Sequence, residues 1–391
     1  MVGLITGVTG ITAFGASAGI KAGKKKDLAM IASSIPASAA AVYTKNRVKA
    51  APLIVNRENL KKENGKAQAI VINSGIANAC TGHKGKMDSY KVAEIAAKKI
   101  GIREGLVLVA STGKIGPRIP VEKIAKVLDN APRLLGNTGK HAKDAAEAIM
   151  TTDSHPKQFA ARVGNSTIAG IAKGAGMIRP DMATMLSFIV TDAEVSPSML
   201  GRSLKTAVGK TFNMVVVDGD MSTNDMVIAM ANGLAGKQDM KKFQEGLEKV
   251  CMELAKMVAA DGEGATRLIE VEAGEAASNG DAAKAARAVA GSSLVKAAVH
   301  GKDPNWGRIM AALGYSGAEF CQDRVEIRIG NVIVVSEGVE AGFAKKDAKK
   351  AMAGAVVRIG ISLGTGGRGK ATAWGCDLTE EYVRFNSKYT T

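Results

Sequence analysis

Short apolar runs alternate with stretches of helical spacing along the whole chain. Residues 69–75 (AIVINSG), 106–111 (LVLVAS), 186–193 (LSFIVTDA), 214–218 (MVVVD) and 371–378 (ATAWGCDL) are rich in β-branched and apolar residues, with Gly, Asn, Asp or Ser at or beside their ends, the pattern of buried strands. Residues 324–338 (RVEIRIGNVIVVSEG) read as a hairpin that turns at Gly330-Asn331, since both residues tolerate positive φ. Helical spacing is clearest over 240–259, where Phe243, Leu247, Val250, Leu254 and Met257 fall on one face. A helix is also predicted over 88–100, with Asp88 or Ser89 as its cap and Gly101 as its stop, and alanine-rich 281–290 predicts a third. This alternation predicts an α/β (α+β) fold. No fixed-period repeat and no low-complexity linker divides it.

Length and composition narrow that picture. A chain of 391 residues exceeds one small core, so two domains or one interleaved α/β unit are expected. Hydrophobic content of 46% excludes disorder, and only 4% aromatic residues leave the core to Ala, Val, Ile, Leu and the 17 Met. The net charge of +16 admits nucleic acid, a membrane surface or anionic small molecules as partners. Lys24–Lys26 is the one tight basic run, and no aromatics are interleaved with it as a base-stacking surface needs. Most of the charge therefore reads as solvated surface, part of it favouring carboxylate or phosphate substrates, and no nucleic-acid partner is expected.

The N-terminal MVGLITGVTGITAFGASAG is apolar and ends in Ala16-Ser17-Ala18 like a signal-peptidase site, yet it lacks a basic start and is broken by Gly and Thr. No other stretch reaches the length of a membrane span, so a cytoplasmic protein without a membrane partner is expected. Cys80, Cys251, Cys321 and Cys376 lie far apart, and the four His form no paired metal motif; Cys80 and His83 are half a site at best. Reduced thiols and no metal are expected.

Three motifs invite chemistry. GTGGRGK (364–370) matches most of a phosphate-binding loop, but Ala371 replaces the magnesium-binding hydroxyl and no helix follows, so it reads as a turn between strands. DGDMSTND (218–225) starts like a calcium loop, but Thr223 and Ala229 stand where Gly and Glu are required. A hydrogen-bonded turn is the better reading, with a place near an active site left open. Glu263, between glycines in DGEGATR, is either a solvated loop residue or a carboxylate presented to a substrate ammonium.

Thr184, in KGAGMIRPDMATML, has two readings as well. A β-branched residue at a strand edge is the plainer one. The other is a nucleophile that the chain uncovers: cleavage of Ala183–Thr184 would free an α-amine, which titrates near roughly 7.7–8.0 and can serve as the base for the Thr hydroxyl. The small Ala183 leaves room for attack on its carbonyl, and strained, glycine-rich backbone upstream would help to hold the geometry.

Seven segments in order decide between them. KGAGMIRPDMATML, NSGIANACTG (73–82), STGKIG (111–116), MTTDSHPK (150–157), VDGDMSTND (217–225), VKAAVHGKDPNWGRI (295–309) and YVRFNSKYTT (382–391) resemble the ornithine acetyltransferase (glutamate N-acetyltransferase) family of arginine biosynthesis over essentially the full length. The resemblance implies self-cleavage into an α chain (1–183) and a β chain (184–391), which usually assemble as an α2β2 heterotetramer. It implies a two-domain α/β fold, related to that of aminopeptidases, with sheets sandwiched by helices. Thr184 would be the nucleophile, Thr112 and Gly113 the oxyanion hole, and Lys173, Glu263, Asn386, Thr391 and one of Thr151 and Thr152 would contact substrate. The implied reaction is ping-pong: N2-acetylornithine acetylates Thr184, and glutamate takes the acetyl group. No resident cofactor is implied, and acetyl-CoA is a donor for some members. The alternative is an amidohydrolase or aminopeptidase with an N-terminal nucleophile on a related scaffold. Ile76 stands where the family pattern leads one to expect a polar residue.

Overall fold

A computed structural model describes residues 4–179 and 185–388. Thr184, Ala183 and Thr391 lie outside the described residues, so the structure describes neither the expected scissile bond nor the last substrate contact.

In chain order the strands are β1 (Ile11–Ala16), β2 (Leu28–Tyr43), β3 (Lys66–Ile76), β4 (Val107–Lys114), β5 (Lys157–Val163), β6 (Ser166–Lys173), β7 (Leu186–Thr191), β8 (Val215–Val216) and β9 (Met226–Ala231). They continue with β10 (Leu268–Ala276), β11 (Glu326–Ile329), β12 (Val332–Ser336), β13 (Val339–Glu340), β14 (Val356–Ser362) and β15 (Gly369–Cys376). The first sheet runs β4-β3-β2-β9-β7-β6-β5, with β1 added on β2, and the second runs β13-β12-β11-β14-β10-β15-β8.

Helix Met240–Ala260 lies between the two sheets, packing on β5 and β6 of one and on β8, β10 and β15 of the other. Its apolar stripe makes this possible: Phe243, Leu247, Val250 and Leu254 are all buried, and Asp239 caps the first turn by accepting from the Lys241 and Lys242 amides. Alternate residues of β6, β7 and β9 serve different cores. Ile168, Ile189 and Val227 join the layer between the sheets, while Ile171, Phe188 and Ile228 face a separate core shared with helix Gly139–Ala148. Strands β7 and β9 pair in parallel and are buried at every residue, which is why 186–193 reads as an unbroken apolar run.

The hairpin turns at Gly330-Asn331 as expected, and most of 364–370 is a turn between β14 and β15, with Gly369 and Lys370 already in β15. The second predicted helix starts earlier than expected, at Gly82, and ends on Gly101 in the left-handed conformation. Asp88 and Ser89 lie inside it rather than at its cap. Asp88 instead pairs with Arg118 at 2.6 Å, and the Ser89 hydroxyl bonds within the helix to the Gly85 carbonyl and accepts from the Asn78 amide.

The expected fragments 1–183 and 184–391 do not correspond to separate sheets. Strands β7 and β9, both after Thr184, sit between β2 and β6 in the middle of the first sheet. Two chains cut at that bond would remain interleaved, sharing backbone hydrogen bonds across the sheet and the core beneath it. Among the described residues, no helix is long and apolar enough to cross a membrane.

Candidate active site

At the ends of β4 and β6 the chain opens a cavity of about 480 Å³. Thr112, Gly113, Thr151, Thr152, Lys173, Glu263 and Asn386 all line it, although 274 positions separate the first from the last. Every expected site residue that the structure describes is thus in one place. Two larger grooves, of about 670 and 1070 Å³, contain none of them.

Thr112 and Gly113 reach the cavity because β4 ends there beside β3. Gly113 has φ +125°, and a Cβ on it would stand 2.2 Å from the Gly75 carbonyl carbon. Only glycine allows the two paired backbones to approach so closely at this positive φ. Asn224 ties the 218–225 turn to the same strand ends, donating to the Ala77 carbonyl at 2.6 Å and the Ser111 carbonyl at 2.7 Å. The hydrogen-bonded turn read from DGDMSTND is therefore present, and it forms one wall of the cavity. Among the described residues, no group of His, Cys, Asp or Glu could hold a metal ion.

Lys173, the last residue of β6, is buried, and its ammonium donates to the Thr112 hydroxyl oxygen at 3.3 Å. Burial pushes its pKa down, while Asp153, Asp225 and Glu263 act in the opposite direction. Asp153 is the carboxylate beneath it. Its Oδ1 accepts from the Gly174 amide and the Lys157 ammonium, each at 2.6 Å, and its Oδ2 from the Thr151 amide at 2.9 Å. Burial alone would raise the pKa of Asp153, but Lys173 and Lys157 outweigh it and hold the carboxyl well below the usual range. Lys157 is fully buried and also pairs with Asp261 at 2.5 Å. This network sets the Thr151–Thr152 loop and Lys173 against one anchor.

On the opposite side, the Glu263 carboxylate accepts from the Asn386 side-chain amide at 2.9 Å. The C-terminal helix Glu380–Asn386 therefore lies against the site, as the position of Asn386 in the sequence implies. Its Tyr382 also lines the cavity; burial and the charge of Asp218 push the phenol pKa up. Gly176 leaves room for Glu263, whose carboxyl carbon would lie 2.4 Å from a Cβ placed there.

Sequence reasoning did not single out Asp153, Lys157, Asp218, Asn224, Asp261 or Tyr382 as site residues. Asp153 and Lys157 lie within MTTDSHPK and Asp218 and Asn224 within VDGDMSTND, so the motifs held a signal; Asp261 had none beyond its nearness to Glu263.

Fold and cavity together define an α/β enzyme with a polar site built at its strand ends from distant parts of the chain. The chain belongs to the ArgJ family, whose model matches residues 12–391. It is 48% identical to the arginine biosynthesis bifunctional protein ArgJ of Symbiobacterium thermophilum, an alignment that covers all of this chain and 99% of that one. The protein of the same name from Caldanaerobacter subterraneus is 47% identical, over 98% of this chain and 97% of its own. A crystal structure of ArgJ from Bacillus halodurans is 44% identical with a TM-score of 0.51, covering 53% of this chain and 100% of the solved one.

Proposed function

We propose that this protein is an acetyltransferase of arginine biosynthesis, moving an acetyl group from N2-acetylornithine to glutamate through an ester on Thr184. The observation that carries this reading is the convergence of Thr112, Gly113, Thr151, Thr152, Lys173, Glu263 and Asn386 on one cavity. The cavity offers a buried cation in Lys173 and a carboxylate in Glu263, matching a substrate with an α-carboxylate and a side-chain ammonium.

Each chemical step has a group for it. The Thr184 Oγ attacks the acetyl carbonyl carbon while its α-amine takes the hydroxyl proton. The negative charge that develops on the carbonyl oxygen is met by the Thr112 hydroxyl and the Gly113 backbone N–H. Lys173 occupies the Thr112 oxygen as a donor, which leaves the Thr112 proton to point at the oxyanion. Collapse breaks the C–N bond, ornithine leaves with the returned proton, and the glutamate amine then attacks the acetyl ester, breaking its C–O bond and passing a proton through the α-amine to restore the Thr184 hydroxyl.

That role requires the chain to cut itself first. The Thr184 hydroxyl attacks the Ala183 carbonyl carbon, the peptide C–N bond gives way to an ester, and the proton passes to the new amine. Water hydrolyses the ester and restores the hydroxyl. Residues 184–391 make up 208 of 391 positions, or 53%, the share that the full Bacillus halodurans chain covers, which supports separate fragments as the mature form. The interleaved first sheet supports fragments that stay together, and we place them in an α2β2 assembly. No resident cofactor is proposed, and acetyl-CoA is an alternative donor for the same Thr184 ester.

Intact mass and N-terminal sequencing under denaturing conditions test the reading, with fragments 1–183 and 184–391 expected. Thr184→Ala is expected to leave one inactive chain. An uncut chain with full acetyl transfer overturns the N-terminal-amine mechanism. Release of free acetate from acetylornithine at the same rate without glutamate identifies a hydrolase instead.

A further inference from the structure

The backbone that leads toward Thr184 is held more firmly than a connection between two antiparallel strands requires. It leaves β6 at Gly174, where φ is +154°, and the Gly174 amide donates to Asp153. The Ala175 carbonyl accepts from the Glu263 amide at 2.8 Å. Met177 then adopts φ +58°, a left-handed conformation that an L side chain disfavours, so something must hold it there.

Asp218 holds it. Its Oδ2 accepts from the Met177 amide at 2.5 Å and its Oδ1 from the Ile178 amide at 2.8 Å, so two successive N–H groups converge on one carboxylate. The Ile178 carbonyl returns the contact by accepting from the Val217 amide at 2.9 Å. The anchor itself is rigid. Val217 accepts from the buried Lys296 ammonium, and the preceding Val215–Val216 pairs with β15 of the second sheet. Downstream, the Met185 carbonyl accepts from the Met226 amide at 3.2 Å and β7 begins at Leu186. The Ala183–Thr184 bond thus falls between two fixed points, five residues beyond the one Asp218 controls.

We propose that Asp218 is a positioning residue for the maturation step, fixing the upstream anchor from which the Ala183 carbonyl must meet the Thr184 hydroxyl. This rests on the self-cleavage reading above. Asp218 takes no proton and forms no bond in that step. The hydroxyl oxygen adds to the carbonyl carbon, the C–N bond breaks, and the proton goes to the amine of Thr184. The contribution of Asp218 is to hold Met177 and Ile178 in one backbone conformation upstream of that bond.

The test is a time course of full-length chain synthesised in a cell-free system, with precursor and fragments resolved by intact mass. Asp218→Asn keeps the shape of the side chain but leaves one oxygen for the Met177, Ile178 and Asp220 amides, and Asp218→Ala removes both acceptors. Cleavage is expected to slow about tenfold to a hundredfold in Asp218→Asn, the rate equivalent of one charge-assisted hydrogen bond, and further in Asp218→Ala. Added formate is expected to restore part of the Asp218→Ala rate, which a purely structural defect would not permit. Should Asp218→Ala fail to fold, the near-isosteric Asp218→Asn carries the comparison. Wild-type cleavage rates in the folded variants overturn the proposal. A wild-type chain that itself stays intact overturns the self-cleavage reading, a separate and earlier failure.

Discussion

The Lys173 ammonium donates to the Thr112 hydroxyl over 3.3 Å, joining the end of β6 to the end of β4 across four intervening strands. The contact orients the hydroxyl that the proposed oxyanion hole needs. Thr112→Val keeps the β-branched shape in a buried position and removes only that group. Its kcat for acetyl transfer is expected to fall by about 10²–10³, with KM and Tm little changed, as for loss of one oxyanion donor. Steady-state kinetics with acetylornithine and glutamate decide it, and an unchanged kcat removes Thr112 from the mechanism.

Gly113→Ala places a methyl group 2.2 Å from the Gly75 carbonyl carbon at φ +125°. The strands must separate or the turn must change conformation, so a loss of about 3 kcal/mol or more of stability is expected together with loss of acetyl transfer. Urea unfolding measures the first, and a variant as stable and active as wild type would contradict the close approach of β3 and β4.

Asp153→Asn leaves the fully buried Lys157 with Asp261 as its remaining carboxylate partner among the described residues and weakens the hold on the Thr151 and Gly174 amides. Breaking one side of a buried ion network costs about 3–5 kcal/mol, and the urea midpoint at neutral pH should fall accordingly. Acetyl transfer should fall as well, since the same carboxylate sets the backbone next to Lys173.

Stability should also fall in acid, with a sign that follows from two carboxylates. Burial alone would raise the pKa of Asp153 and Asp377. The lysines beside Asp153 outweigh it, as do the donors on Asp377: the Thr266 amide at 2.7 Å, its hydroxyl at 2.5 Å and the Arg267 amide at 2.9 Å. Both pKa values are depressed in the folded state, so the unfolded chain binds more protons in acid. The stabilisation is complete above the ordinary aspartate value of about 4 and is lost as pH falls through the folded values. Urea midpoints from pH 7 to pH 3 should show this decline, and Asp377→Asn should make it shallower.

Legibility differed from element to element for physical reasons. Helix Met240–Ala260 and the hairpin at Gly330-Asn331 were readable because a long apolar stripe and a two-residue turn are local signals. Residues 214–218 read as a strand because they are apolar, yet only Val215 and Val216 pair, since Met214 ends a 3-10 turn and the Val217 amide bonds to the Ile178 carbonyl instead. The 16-residue β2, with no single alternating pattern, was missed: it pairs first with β1 and β3 and then with β9, so its burial demands change along its length.

By itself, the sequence determined the fold class, the family resemblance and the identity of the candidate residues, because ordered motifs and local periodicity survive without coordinates. Only the tertiary structure decided that seven of those residues share one cavity, that Asp153 and Asp218 anchor the backbone on two sides of it, and that strands from both expected fragments lie in one sheet. Those facts depend on contacts between positions tens to hundreds of residues apart. Such contacts arise from strand order and the burial of charge against charge, which no local pattern of residues encodes.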